Sequence, residues 1–310
     1  KKILAAVPAG LTAKQAKHMP DVDAILARIQ AINGPKLLAA IQKGLCPNLR
    51  SFRRRRPGEA PFACLTAYDA LTAGHLASAG IPLLLVGDSL AQVALGYPDT
   101  THVPLDIMVA LTAAVRRGAP QAFVMADLPF LAALTEEDAL RAAARFVTEG
   151  GADAVKIEMD DSRTGWVKTL ANAGIATVPH LGCRPQHVKR AGGYRVAGKT
   201  AEDRQQLAET AKNMEDAGAV MLLLEAATPE AARAILENTS LPLIGCGAGP
   251  DCDGQIVVTA DLLGLTPKQP SFAPPMVDGV APLATMAQTW IQTVADRQAG
   301  GNYQTSDGAR

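Results

Sequence analysis

Short apolar runs alternate along this chain with longer segments of helical periodicity. Four of the runs end on an acid: PLLLVGD at Asp88, AFVMAD at Asp127, DAVKIE at Glu158 and AVMLLLE at Glu225. Strand-like runs lie near 61–66, 82–87, 121–126, 152–158, 175–179, 219–225 and 241–246, with helical stretches near 69–79, 104–117, 135–149, 162–173, 201–217 and 228–239. Parallel strands need connections long enough to hold a helix, so this alternation predicts a parallel sheet covered by helices. Seven βα units are visible. The only candidate for an eighth strand is SFAPPMV at 271–277, ahead of a helical pattern at 280–297, and its prolines are unfavourable in a ladder. Seven units and a weak eighth favour an α/β fold closed as a (β/α)8 TIM barrel over an open sheet. A barrel brings the ends of its strands to one rim, where clustered carboxylates suit a hard dication and proton abstraction from carbon.

The 310 residues are 48% hydrophobic and only 4% aromatic, enough for one large aliphatic core. The expected organisation is an N-terminal extension with helical segments over 1–50, a single catalytic barrel over 51–298 and a disordered tail over 299–310. Residues 1–18, ahead of Met19, read as an added extension rather than a signal peptide, and the amphipathic stretch 21–45 reads as a subunit-packing element. Thirty basic and thirty acidic side chains leave no net charge, so no global field favours nucleic acid or an anionic membrane. The basic run at 53–56 reads as a solvated connection. No apolar stretch is long enough to span a bilayer; ILAAVPAGLTA is broken by Pro8 and Gly10. Five scattered cysteines without C-x-x-C point to neither a disulfide framework nor a zinc site, and a reducing cytoplasm fits best.

Local signals agree with this layout. Thr135 and Thr200, each followed by acids, mark helix N-termini, and Gly150-Gly151, Gly174 and Gly218 mark helix ends. In VKIE the period of two places Lys156 and Glu158 on one face and Val155 and Ile157 on the other, toward the helices. Glu225 closes the most apolar run and is expected to be partly desolvated, which suits a base. The glycine run Gly245, Gly247, Gly249 reads as close backbone packing at the rim rather than a dinucleotide loop.

The segments TAYD (66–69), GDSLAQVALGY (87–97), VRRGA (115–119), ADLPF (126–130), VKIE, HLG (180–182), GGYRVAGKT (192–200) and GAGPDCDGQ (247–255) occur in an order and spacing that resembles the ketopantoate hydroxymethyltransferase family of the phosphoenolpyruvate/pyruvate barrel superfamily. The resemblance implies transfer of the one-carbon unit of 5,10-methylenetetrahydrofolate to 3-methyl-2-oxobutanoate, with magnesium, on the way to pantothenate. It implies Asp88 and Asp127 as metal ligands, with Glu158 close to the ion directly or through water. Ser89, Asp127, Lys156 and His180 would contact the 2-oxo acid, and Glu225 would be the base. It also implies a homo-oligomer, an octamer or decamer.

Several positions depart from the family pattern: Met159-Asp160 replaces two glycines, Pro179, Cys183 and Arg184 alter the segment around His180, and Ala226 to Thr228 alter the one after Glu225. These departures leave open a paralogue acting on another 2-oxo acid or aldehyde, a superfamily lyase or mutase, and a non-catalytic scaffold.

Overall fold

The computed structural model describes residues 47–56, 58–301 and 303. Residues 1–18 and the stretch 21–45 lie outside the described residues. Eight parallel strands close into a barrel in sequence order: β1 Phe62–Thr66, β2 Leu83–Val86, β3 Phe123–Asp127, β4 Ala154–Glu158, β5 Thr177–Gly182, β6 Leu222–Glu225, β7 Leu243–Cys246 and β8 Gly254–Val257. The helices are α1 Ala70–Ser78, α2 Leu90–Val93, α3 Leu105–Gly118, α4 Glu136–Thr148, α5 Thr164–Asn172, α6 Val188–Ala191, α7 Ala201–Asp216, α8 Pro229–Asn238, α9 Thr259–Leu262 and α10 Val280–Ala295.

The eighth strand corrects the sequence expectation. It is Gly254–Val257, which pairs with β1 (Cys64 opposite Ile256) and with β7 (Ile244 opposite Gly254), and not 271–277. The segment 271–277 instead lies among turns and bends, consistent with its prolines.

The alternation of strand side chains sorts the core into two layers. Cys64, Leu83, Leu85, Phe123, Met125, Ala154, Val178, Leu223 and Ile244 fill the barrel interior, while Leu84, Val124, Val155, Ile157 and Leu224 pack outward with the helices. Val155 and Ile157 therefore face the helices, as their period of two requires. The N-terminal end of the barrel is stoppered by Phe52, whose ring packs edge-on against Phe62 at 5.0 Å and Phe123 at 5.1 Å. Part of the basic run serves this closure: Arg54 donates to the carbonyls of Leu236 and Thr239 at 2.8 and 2.9 Å and pairs with buried Asp253 at 3.2 Å. Arg53, by contrast, makes an exposed pair with Glu59.

Helix starts behave as their sequences require. Thr135 and Asp138 form a reciprocal capping box on α4, and Thr200 caps α7 through the Asp203 amide. Only the four-residue α9 follows β8 directly; the chain then crosses the C-terminal end of the barrel before entering α10, which carries no charged residue and buries none of its side chains.

Candidate active site

Every second residue of a strand points into the barrel, so the inward positions beyond the apolar interior decide what the C-terminal rim carries. Following Met125, Ala154, Val178 and Leu223, those positions are Asp127, Lys156 with Glu158, His180 and Glu225. Asp88 and Ser89 follow β2 by a sharp turn into α2. All six candidates other than Glu158 line one cavity of about 730 Å3, and Glu158 is tied to its wall.

Lys156 Nζ donates to Asp127 Oδ2 at 2.5 Å, and the Asp88 amide approaches the same oxygen at 3.4 Å. Asp88, Asp127, Lys156, Glu158 and His180 are all at most 5% exposed, whereas the Glu225 side chain keeps 23%. Asp88, Asp127 and Glu158 are thus more deeply buried than Glu225, which lines the cavity. Burial, reinforced by the charge of Asp127, pushes Asp88 up to about 8 against the pull of Lys156 and Gln186. Burial and the Asp88 charge likewise hold Glu158 well above the usual carboxylate range. For Lys156 burial works to lower the pKa, but the surrounding carboxylates outweigh it and the ammonium is stabilised. His180 is pushed down by burial and by Lys156, so its imidazole is neutral. Its Nε2 lies 3.3 Å from Glu225 Oε2 and its Nδ1 3.9 Å from Glu158 Oε1, and neither nitrogen has a hydrogen-bond partner among the described residues.

Two functional-looking side chains carried no assigned role in the sequence reading. Gln186, buried behind the rim, donates from Nε2 to Asp88 Oδ2 at 2.8 Å and to the Leu128 carbonyl at 2.9 Å; its amide donates to Glu158 Oε1 at 3.1 Å. It thereby ties two acids from separate strands. Tyr68 shares a hydrogen bond of 2.9 Å with Ser89, and burial pushes its phenol up to about 12. Tyr68 lies inside the family-like segment TAYD, which was the available signal, whereas Gln186 falls between HLG and GGYRVAGKT.

Among the described residues no three His, Cys, Asp or Glu side chains converge closely enough to cage an ion by themselves. The donor set nonetheless fits magnesium, which is commonly held by one or two carboxylates with water and substrate oxygens completing the octahedron. Asp127 Oδ1 and Glu158 Oε2 are buried with no hydrogen-bond partner, and three buried carboxylates face a single ammonium. A raised Asp88 pKa means the folded protein holds that proton more tightly than the unfolded chain. Its contribution to metal-free stability is therefore present below the ordinary carboxylate pKa and is lost as pH rises through about 8. A dication that binds the ionised form offsets this loss, so the melting shift produced by Mg2+ over EDTA is expected to be larger at pH 8 than at pH 6, by about 2 °C or more. An equal or smaller shift at pH 8 would contradict the carboxylate cluster as the metal site.

Backbone geometry fixes the Glu225 position. Gly182 has φ +86°, and a Cβ there would sit 2.4 Å from the Glu225 carbonyl oxygen. Gly182→Ala should displace β6 from β5 and lower stability by roughly 1–3 kcal/mol, read by thermal melting, with a larger proportional loss of turnover. Ala226, next in the chain, adopts φ 44° and is held there by its amide on the Cys246 carbonyl and by the Ala197 amide on its own carbonyl.

Most departures from the family pattern point away from the cavity. Met159 is buried in the outer core, and Arg184 turns to Asp160 at 2.6 Å. Part burial works against Asp160, but hydrogen bonds from Ser162 and the Arg184 guanidinium hold its carboxyl at about 2. The two departures thus compensate each other. Cys183 and Ala226 do line the cavity. Burial pushes the Cys246 and Cys183 thiols up, so both serve as small packing residues rather than nucleophiles.

The molecule is thus a (β/α)8-barrel enzyme with buried acids, a lysine and a histidine gathered at the C-terminal ends of its strands. The profile described as ketopantoate hydroxymethyltransferase matches residues 47–300. A 3-methyl-2-oxobutanoate hydroxymethyltransferase of Koribacter versatilis is 44% identical over 250 residues, 80% of this chain and 83% of that protein. One of Pyrobaculum islandicum is 42% identical over 76% of this chain and 91% of its own length. The chain belongs to the ketopantoate hydroxymethyltransferase family. Among solved structures, a phosphoenolpyruvate phosphomutase from Streptomyces platensis subsp. rosaceus superposes with TM-score 0.53 at 14% identity, covering 77% of this chain and 84% of that one. A 2,3-dimethylmalate lyase of the PEP mutase/isocitrate lyase superfamily gives 0.52 at 16% identity, covering 80% and 88%. At these identities the superpositions establish the shared barrel.

Proposed function

We propose that the protein transfers a hydroxymethyl group from 5,10-methylenetetrahydrofolate to 3-methyl-2-oxobutanoate, giving ketopantoate for pantothenate synthesis. The observation that carries this reading is Glu225, a carboxylate open to the cavity, facing a neutral imidazole and a buried lysine-carboxylate cluster on a family-matched barrel. Asp88 and Asp127 would hold a divalent cation, with Glu158 behind them through water. When bound, that cation would offset the negative charge that builds on the 2-oxo and carboxylate oxygens as a proton leaves C3.

The chain's own groups account for the rest. Glu225 accepts the C3 proton, and His180, with one ring N–H to give, donates to a substrate oxygen or steadies the Glu225 carboxylate. Lys156 supplies a fixed positive charge beside the acid substrate, and Ser89, oriented by Tyr68, supplies a hydroxyl. The C3 carbon then forms its bond to the folate methylene carbon, one C–N bond of the donor breaks, and water supplies the hydroxyl oxygen as the second C–N bond breaks. Tetrahydrofolate leaves carrying the balancing protons. Formation of ketopantoate from both substrates, lost on metal chelation and restored by Mg2+, is the expected result. Turnover of a different oxo acid in preference would favour the paralogue reading.

The compensated Asp160–Arg184 pair favours the family substrate over a divergent one, because it adds no charge to the cavity wall. Arg184→Ala with Asp160→Gly is therefore expected to change kcat/KM for the oxo acid by less than about threefold. A tenfold change in steady-state assays would show that the pair reaches the substrate.

A homo-oligomer is supported by α10, where Leu283, Met286, Trp290 and Ile291 are each more than half exposed on a helix without charge. Among the described residues no helix is long and apolar enough to cross a membrane.

A further inference from the structure

Gln186 is an uncharged side chain held among the charged groups of the rim. It lies in the short 3-10 turn Pro185–His187 after β5 and is buried. From there it reaches the ends of β2, β3 and β4. Its Nε2 donates to Asp88 Oδ2 at 2.8 Å and to the carbonyl of Leu128, the residue after Asp127, at 2.9 Å. Its backbone amide donates to Glu158 Oε1 at 3.1 Å. Both partners of Nε2 are acceptors, which fixes the orientation of the amide. Flipped, it would set its own oxygen against a carboxylate and a carbonyl.

These bonds leave a pattern in the acids. Glu158 gives Oε1 to the Gln186 amide and Asp127 gives Oδ2 to Lys156, while Glu158 Oε2 and Asp127 Oδ1 are buried without a hydrogen-bond partner. Buried carboxylate oxygens are costly to leave unpaired, so a pair left free in one cluster points to an occupant of opposite charge. The choice of glutamine fits the same end. A cationic donor at this position would cancel part of the charge that attracts a dication, and the cluster already contains the ammonium of Lys156. A neutral amide satisfies Asp88 and leaves that charge in place.

We propose that Gln186 is a positioning residue for the divalent cation. It holds one oxygen each of Asp88 and Glu158, together with the backbone beside Asp127, so that the free carboxylate oxygens are kept for the ion. This role rests on the cation-dependent transfer proposed above. Groups that orient a metal's ligands typically contribute ten- to a hundredfold in affinity without touching the ion.

Mg2+ titrated calorimetrically into the intact enzyme saturated with 3-methyl-2-oxobutanoate, without donor, reads this role apart from turnover. Gln186→Met keeps the length of the side chain and the backbone amide but removes both side-chain donors. It is expected to raise the Mg2+ Kd about tenfold or more, and to raise the Mg2+ concentration for half-maximal turnover in step. Excess Mg2+ should recover most of the lost kcat. Gln186→Asn retains an amide but is one methylene too short to span Asp88 and Leu128, and should weaken Mg2+ in the same direction if the methionine variant does not fold. A Mg2+ Kd within twofold of wild type in a folded variant, with only the melting temperature in EDTA lowered, would show a purely structural role and overturn the proposal. A kcat loss that excess Mg2+ does not recover would overturn it too. Wild-type enzyme that binds no Mg2+ would overturn the cation-dependent reading and this role with it, a result distinct from variants that bind Mg2+ as tightly as wild type.

Discussion

Glu225→Gln is expected to lower both C3–H exchange and ketopantoate formation by about a thousandfold while oxo-acid binding stays within a few-fold of wild type. Glutamine keeps the shape of the side chain at the end of β6 but cannot accept a proton, and a positioned general base contributes about 10²–10⁴ in rate. The substitution leaves the buried cluster of Asp88, Asp127, Lys156 and Glu158 intact, because Glu225 touches it only through His180 at 3.3 Å. Binding measured calorimetrically with Mg2+ present, beside exchange measured by NMR, separates the two effects. Exchange retained at a tenth of the wild-type rate or more would remove Glu225 from the role of base and direct attention to the ring nitrogens of His180.

The second large effect is expected from Asp127→Asn. Asp127 is the closest counter-charge of Lys156, at 2.5 Å, and both side chains are almost fully buried. Stripping one partner from a buried pair costs about 3–5 kcal/mol. Asp88 and Glu158 also stabilise the ammonium, so the lower end applies, equivalent to a melting decrease of about 6 °C or more. Mg2+-dependent binding of 3-methyl-2-oxobutanoate should weaken about a hundredfold or more, since the carboxylate proposed to hold the cation, with its free buried oxygen, is replaced by a neutral amide. Unaltered Mg2+-dependent binding in a folded variant would show that the cation, if used, is held elsewhere.

How much of this was legible in the sequence depended on how strongly each element was marked. The first seven strands are apolar runs bounded by glycine or an acid, and the inward-facing residues followed from a period of two: Lys156 and Glu158 do sit opposite Val155 and Ile157. The eighth strand escaped because Gly254–Val257 is four residues long, begins with glycine and has only two of its residues buried. Its identity is set by partners on both sides, β1 and β7, which no local pattern reports.

The candidate site was readable for a related reason. Asp127, Glu158 and Glu225 terminate their strands, Lys156 and His180 face inward from theirs, and Asp88 and Ser89 follow β2 by a turn, so topology alone gathers them. Distances were not readable, nor was the way in which Gln186, from a loop after β5, would clasp Asp88 and Glu158. The expected desolvation of Glu225 followed from its apolar run, but the cavity that opens beside it belongs to tertiary structure. The same holds for Arg184, whose partner Asp160 lies on a different loop. The partial visibility of the site thus follows from contact order: rim positions are local properties of strands, whereas pairings across loops are not.

Proton NMR of 3-methyl-2-oxobutanoate in D2O with enzyme and Mg2+, without folate, tests the central claim most directly. The account predicts loss of the C3–H signal at a rate that requires Mg2+ and Glu225, followed by ketopantoate once 5,10-methylenetetrahydrofolate is added. A C3–H signal that persists at saturating oxo acid and Mg2+, in folded enzyme, would contradict proton abstraction at this rim as the chemistry of the site.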